Sequence, residues 1–160
     1  MNIVKNSVKD DNYAKILFRF YSDILVEWTV ETMWAEIVDV DKGLYKLDNI
    51  PFYAPLIASD DIVFAEYDDT EKMLTYRRTI EYSGNSTIHV VITDKSIEIN
   101  SIRDIFKELG CISERVNDGY FSMEILADTD YKPIKQKLDD LENRAIIGYT
   151  ESCLSNKHHY

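Results

Sequence analysis

The sequence predicts an α+β fold: an N-terminal small bent β-sheet or barrel packed on a C-terminal ferredoxin-like βαββαβ half. Three observations carry it. The chain is 160 residues long and 45% apolar, enough for one ordinary domain or two very small ones. It holds eleven tyrosines but only five glycines and three prolines, a balance that suits strands joined by short turns. Period-two alternation fills the front half, whereas strand-like and helix-like stretches alternate from Ser86 onward.

The elements follow in order. Residues 1–13 are polar and read as a flexible N-terminus. A β-rich subdomain is expected over 14–84. "KILFRFY" begins it from Lys15. In "VETMWAEIVDV", Val30, Thr32, Trp34, Glu36 and Val38 share one face, and Glu31, Met33, Ala35, Ile37 and Asp39 the other. "DKG" turns the chain and "LYKL" returns it as a hairpin. "DIVFAEY" and "MLTYRRTIEY" are two further strands on either side of "DDTEK". Five short strands with tight turns point to a strongly bent sheet or barrel.

The βαββαβ subdomain is expected over 85–153, with 154–160 as a tail. "STIHVVI" is its first strand. "NSIRDIFKELG" is a helix with Ile102, Ile105, Phe106 and Leu109 as its stripe, Asn100 or Ser101 as its cap, and Gly110 past its end. "CISERV" and "YFSMEIL" form a hairpin through "NDG". Asp130 is placed to cap a second helix that tolerates Pro133 in its first turn and carries Ile134, Leu138 and Leu141. "AIIGYTES" is the last strand. This order is the split βαβ of ferredoxin-like folds.

Net charge is −11, and it is unevenly spread. Thirteen acids face two bases, Lys42 and Lys46, between Asp23 and Glu71, and the remainder of the chain is balanced. Such a field repels phosphate backbones and argues against nucleic acid as a partner. It attracts a basic protein and speeds encounter with it. No run approaches a membrane span, and no apolar stretch follows Lys5 and Lys9, so a cytoplasmic location is expected. Cys111 and Cys153 form no CxxC pair and read as reduced thiols.

Chemistry-bearing motifs are sparse. The acids at Asp60, Asp61, Glu66, Asp68 and Asp69 lack the glycine and spacing of a calcium loop and fall at opposite ends of a strand, so no metal is expected. No cofactor motif is present. A Cys-His pair would need Cys111 or Cys153 beside His89, with no local signature to support it. "YSGNSTI" lacks a phosphate-loop frame and reads as a polar turn between the halves.

The connection "KLDNIPFYAPLIASDDIVFAEYDD" is the least ordinary stretch. Asp48 or Asn49 starts a turn, Pro51 fixes the backbone, and Ile50 and Phe52 tuck beneath it. Tyr53 and Leu56 stay outside, and apolar residues rimmed by acids match the anatomy of a binding patch.

Four stretches, "VETMWAEI", "GLYKLDNIPFYAP", "DDIVFAEYDD" and "YSGNSTIHVVI", resemble a bacterial family of unknown function, the one numbered 4265. They cover roughly Glu31 to Ile92, and the tail is similar in pattern. The resemblance implies a compact cytoplasmic α+β protein and supplies no activity. The chain departs from the family in having Asp60-Asp61 where Gly-Asp is frequent and Asn85 where histidine is frequent. It also resembles, more distantly, immunity partners of bacterial toxins.

The expected function is therefore binding rather than catalysis: an immunity protein that neutralises a cognate basic toxin domain, a nuclease in the first instance. The expected contacts are Asp48, Tyr53, Asp60, Asp61, Glu66, Asp68 and Asp69, with no cofactor, nucleic acid or membrane involved. The alternatives are a small-ligand regulatory protein, and an enzyme using Ser83, Asn85, Ser86 or His89 at the junction of the halves.

Overall fold

The computed structural model describes residues 11–159. The expected flexible start lies, through Asp10, outside the described residues; from Tyr13 the chain is already in a strand. The molecule is α+β, and it divides into two compact units, Met1–Ser83 and Gly84–Tyr160. No described helix is long and apolar enough to cross a membrane.

The first unit is a closed barrel of five strands in sequential order: β1 (Tyr13–Ser22), β2 (Glu27–Asp39), β3 (Leu44–Leu47), β4 (Ile62–Asp68) and β5 (Met73–Glu81). Four antiparallel steps leave the first and fifth strands running the same way. Closure is accordingly parallel, at Leu17 opposite Thr75. Register shifts between Ile37 and Asp39 and at two points in β4 bend the strands enough to close so small a sheet. Alternation sends Ile16, Phe18, Met33, Ala35, Val63 and Ala65 into one core. Gly43 takes φ 72° in the β2–β3 turn, and a Cβ there would stand 2.8 Å from the Ala65 carbonyl oxygen and the Phe64 ring. Only glycine fits that approach.

The second unit is a four-stranded antiparallel sheet in the order β7-β8-β6-β9. Its strands are β6 (Ser86–Ile92), β7 (Ile112–Asn117), β8 (Tyr120–Ile125) and β9 (Ile147–Cys153). Helix α1 (Ile99–Glu108) links β6 to β7, and α2 (Lys132–Asn143) links β8 to β9. Ile88, Val90, Phe121 and Met123 share a core with Phe106 and Leu138 from the helices.

Both helix starts differ from expectation. The first helix begins earlier, at Ile99, after an N-cap Glu98 whose side chain makes no cap bond. Ser101 instead donates its hydroxyl to the Glu98 carbonyl at 2.6 Å. At α2 the N-cap is Tyr131, and Asp130 accepts the Lys132 N–H from just outside. Gly110 takes φ 98° past the end of α1, as its position requires.

Polar side chains fasten α2 to β9. Tyr131 donates to Glu151 at 2.6 Å, Lys135 to the Tyr149 hydroxyl at 2.7 Å, and Tyr149 to Asp139 at 2.5 Å. Burial and the Asp139 carboxylate push the Tyr149 phenol up to about 12. Burial pulls Lys135 down, but its bond to Tyr149 and the charges of Glu151 and Asp139 hold it above its ordinary value. Tyr149 and Lys135 therefore both keep their protons across the neutral range.

The chain end is tied down as well. His158 is buried, its Nε2 donates to the Leu126 carbonyl at 2.9 Å, and its Nδ1 lies 2.6 Å from Ser86 Oγ. Ser86 Oγ thus links the His158 ring to the chain end, since its oxygen also accepts the Ser155 N–H at 2.8 Å. Replacing His158 by Ala removes the side-chain partner of the buried Ser86 hydroxyl and leaves it only the Ser155 N–H. Urea unfolding is expected to show a loss of about 2 kcal/mol, with faster proteolysis after Leu154. A loss under about 0.5 kcal/mol would show that the tail is held by other contacts.

Candidate interaction surface

Twelve acids of the barrel unit fall into three groups. The first group works inside the fold. Glu31 faces inward with Phe18, its cross-strand partner. Its carboxylate accepts three successive backbone N–H groups, from Phe52 at 2.6 Å and from Tyr53 and Ala54 at 2.9 Å. Asn49 Oδ1 accepts the Trp34 N–H at 2.7 Å, and Asp48 N–H reaches the Trp34 carbonyl. The connection between β3 and β4 is thereby laid against the barrel, and it contributes Ala54 and Ile57 to the core. Ile50 is buried, while Tyr53 is half-buried and Leu56 exposed. Much of the proline-containing stretch is thus a cover for the core.

Asp61 belongs to this group, which corrects the expectation that it is a surface contact. It is 0% exposed. Its carboxylate accepts the Ala58 N–H at 3.0 Å and the Ser83 N–H at 2.8 Å. Burial raises its carboxyl above the ordinary value of 3.8 against the pull of those two bonds. Neighbouring Asp60 has φ 69°, the left-handed region that glycine or Asp occupies most easily. The Asp60-Asp61 dipeptide thus pairs a left-handed residue with a buried carboxylate.

The second group is neutralised by bases. Arg77 bonds both Glu66 and Asp68 at 3.0 Å, Arg19 bonds Glu71 at 2.6 Å, and Lys46 lies 3.7 Å from Glu36. The backbone N–H of Glu71 and the Arg77 guanidinium hold the Asp68 carboxyl below the ordinary range. Arg19 does the same for Glu71. Glu66 and Asp68 thus face the surface as members of a charge network, not as bare anions. The third group, Asp23, Glu27, Asp41, Asp48, Asp60 and Asp69, is exposed. Of the expected contacts, Asp48, Asp60 and Asp69 remain as exposed acids, with Tyr53 half-buried in the connection.

An exposed apolar cluster went unforeseen. The β1–β2 hairpin ends in "YSDILVEW", and Tyr21, Leu25, Val26 (70%) and Trp28 (69%) are all exposed. Tyr21 and Trp28 are directly opposed, with ring centroids 5.9 Å apart in an edge-on contact. Asp23 and Glu27 flank them in sequence. The sequence signal was available: an apolar Ile-Leu-Val run where a turn would ordinarily be polar.

The residues weighed for catalysis have structural duties, each within its own unit. Ser83 Oγ donates to the Ser59 carbonyl, Asn85 Oδ1 accepts the Ala127 N–H, and Ser86 holds His158. His89 is buried mid-strand, 5.9 Å from the Tyr120 ring. Burial pushes the Cys111 thiol up to about 12, the reverse of an activated nucleophile. In the second unit an open depression of about 570 Å³ is lined by Asn100, Arg103, Lys107, Cys111 and Ser113. Arg103 there already donates to Ser113 and Asn100.

Comparison with known proteins agrees with this picture at the level of family and fold. The family model described as "Domain of unknown function (DUF4265)" matches residues 31–149. The crystal structure of a hypothetical protein from Neisseria gonorrhoeae is similar at TM-score 0.76 and 27% identity, over 88% of this chain and 94% of that one. No curated protein matches the chain.

Two measurements check these assignments. Glu31→Ala leaves three N–H groups of the connection without their acceptor, and a loss of roughly 3 kcal/mol in urea unfolding is expected, with Glu31→Gln intermediate. For Asp61, a carboxyl raised on folding contributes most below its unfolded value and progressively less as pH rises through its folded value. Asp61→Asn removes that opposing slope, so stability should climb more steeply with pH in the variant than in the parent as pH rises above the ordinary carboxylate value. Parallel slopes would show that the carboxyl is not raised.

Proposed function

This chain belongs to the DUF4265 family, and we propose that it is a binding protein that neutralises a basic protein partner, in the manner of an immunity protein against a toxin domain. The observation that carries the reading is the exposed aromatic and aliphatic hairpin tip with Asp23 and Glu27 beside it. Large apolar side chains left in water next to acids are the anatomy of an interface core and its rim. Trp and Tyr supply most of the affinity where a partner buries them, while acids speed encounter and reject wrong partners. Asp48, Asp60 and Asp69, together with Tyr53, supply the steering surface, and Glu66 and Asp68 join it through their Arg77 network. A cytoplasmic setting fits a neutraliser of a nuclease. In the second unit, the strand order and the two crossover helices support the ferredoxin-like reading of that half.

The small-ligand alternative rests on the depression beside Arg103 and Lys107. It predicts a metabolite that raises the melting temperature of the isolated protein.

The product of the neighbouring gene is the first partner to try. It is expected to co-purify with this protein and to arrest growth only when this protein is absent. Converting Asp48, Asp60 and Asp69 to Asn should slow association about tenfold at low salt and change it little at high salt. Growth arrest that is equal with and without this protein would overturn the immunity reading.

A further inference from the structure

The β1–β2 hairpin extends well past the strands that flank it. β2 pairs with β1 from Glu27 to Glu36, but with β3 only from Ala35 onward. At Trp34 the N–H goes to Asn49 and the carbonyl to the Asp48 N–H, so both groups point away from β1. Backbone direction in a strand has a period of two. Thr32, Val30 and Trp28 therefore turn their N–H and C=O to that same side, where no described strand lies against them.

An open edge of this kind is ordinarily guarded by lysine, proline, a bulge or shortness. Residues 27–32 contain no Lys and no Pro, and their pairing with β1 is unbroken. Glu31 points inward and is occupied by the connection. One face of the edge carries Trp28 and Val30 beside Tyr21; the other carries Glu27 and Thr29. The turn itself is strained. Val26 sits at φ 56°, a conformation that a β-branched residue adopts only at a cost, and its side chain is 70% exposed. Burial within this fold does not offset that cost. Strain retained without internal compensation is a mark of a functional segment.

We propose that the Trp28–Thr32 edge of β2 receives an extended segment of the partner by strand addition, and that this segment alternates apolar and basic residues. This rests on the protein-binding reading above and specifies how the partner is held. Main-chain bonds to Trp28, Val30 and Thr32 supply affinity, and alternate side chains supply selection. Apolar residues of the incoming strand lie along Tyr21, Trp28 and Val30, and its basic residues meet Glu27. A second copy of this chain is disfavoured, because each carries −11 and the pairing would bring two acidic tips together.

The test uses the full chain and a ten-residue peptide of alternating valine and lysine. A peptide of the same composition with valines and lysines in separate blocks, and one of alternating valine and glutamate, serve as controls. The alternating Val-Lys peptide is expected to bind at least tenfold tighter than either control, and to slow amide exchange at Trp28, Val30 and Thr32. Val30→Pro removes one outward N–H while leaving the β1 ladder bonds in place, and should weaken binding at least tenfold. Trp28→Lys, an edge guard, is the second variant should the proline disturb folding. Val26→Asn should raise the melting temperature by roughly 2–6 °C through relief of strain, while weakening the peptide. Equal binding of alternating and block peptides, protection at other amides, or self-association through this edge without peptide would overturn strand addition. If the neighbouring gene product binds Val30→Pro and Trp28→Lys as well as the parent, only the edge assignment fails. If it does not bind the parent protein either, the protein-binding reading fails too.

Discussion

Glu31 holds the barrel unit together at the point where its chain path is least regular. A fourteen-residue connection without strand partners would leave a row of backbone N–H groups to be satisfied. One carboxylate takes three of them in succession, and Asn49 and Asp61 secure the two ends. The connection then buries Ile50, Ala54 and Ile57 instead of shedding them into solvent. Charge-assisted bonds suit this task, since one side chain replaces several weaker contacts.

That arrangement changes the meaning of the acidic composition. Two of the acids that make the front of the chain so negative are structural anchors, and four more are tied to Arg19, Lys46 and Arg77. Net charge alone overstates the field available to a partner. What is left lies on turns and at the hairpin tip, next to apolar side chains that water does not favour. On the protein-binding proposal, exposed aromatics beside a reduced set of acids fit an interface with a buried centre better than a purely electrostatic one.

The family motifs take on a consistent role. Glu31 and Trp34 in "VETMWAEI", Asn49 in "LDNIPF", Asp61 in "DDIVF" and Ser83 in "YSGNS" all meet at the connection or its ends. They anchor the β3–β4 connection to the barrel. The hairpin tip lies just ahead of the matched residues 31–149. A shared scaffold with a separate recognition segment is what a set of proteins with different partners would need.

Local pattern was enough to place the strands and both helices, because side-chain alternation and helical spacing are read off neighbouring residues. It was enough to put Met33 and Ala35 together on one face of β2, without deciding which face is buried, and to foresee that part of the proline-containing connection joins the core. It did not separate Asp60 from Asp61, adjacent and chemically identical, of which one faces water and the other is sealed inside with two N–H donors. Nor did it show that Glu31 serves residues twenty-one to twenty-three positions away, or that β2 outruns its neighbour β3 and leaves an open edge. Those facts depend on which strands end where and which loop folds back. Such contacts between residues remote in sequence are decided by the closed barrel as a whole and leave no local trace.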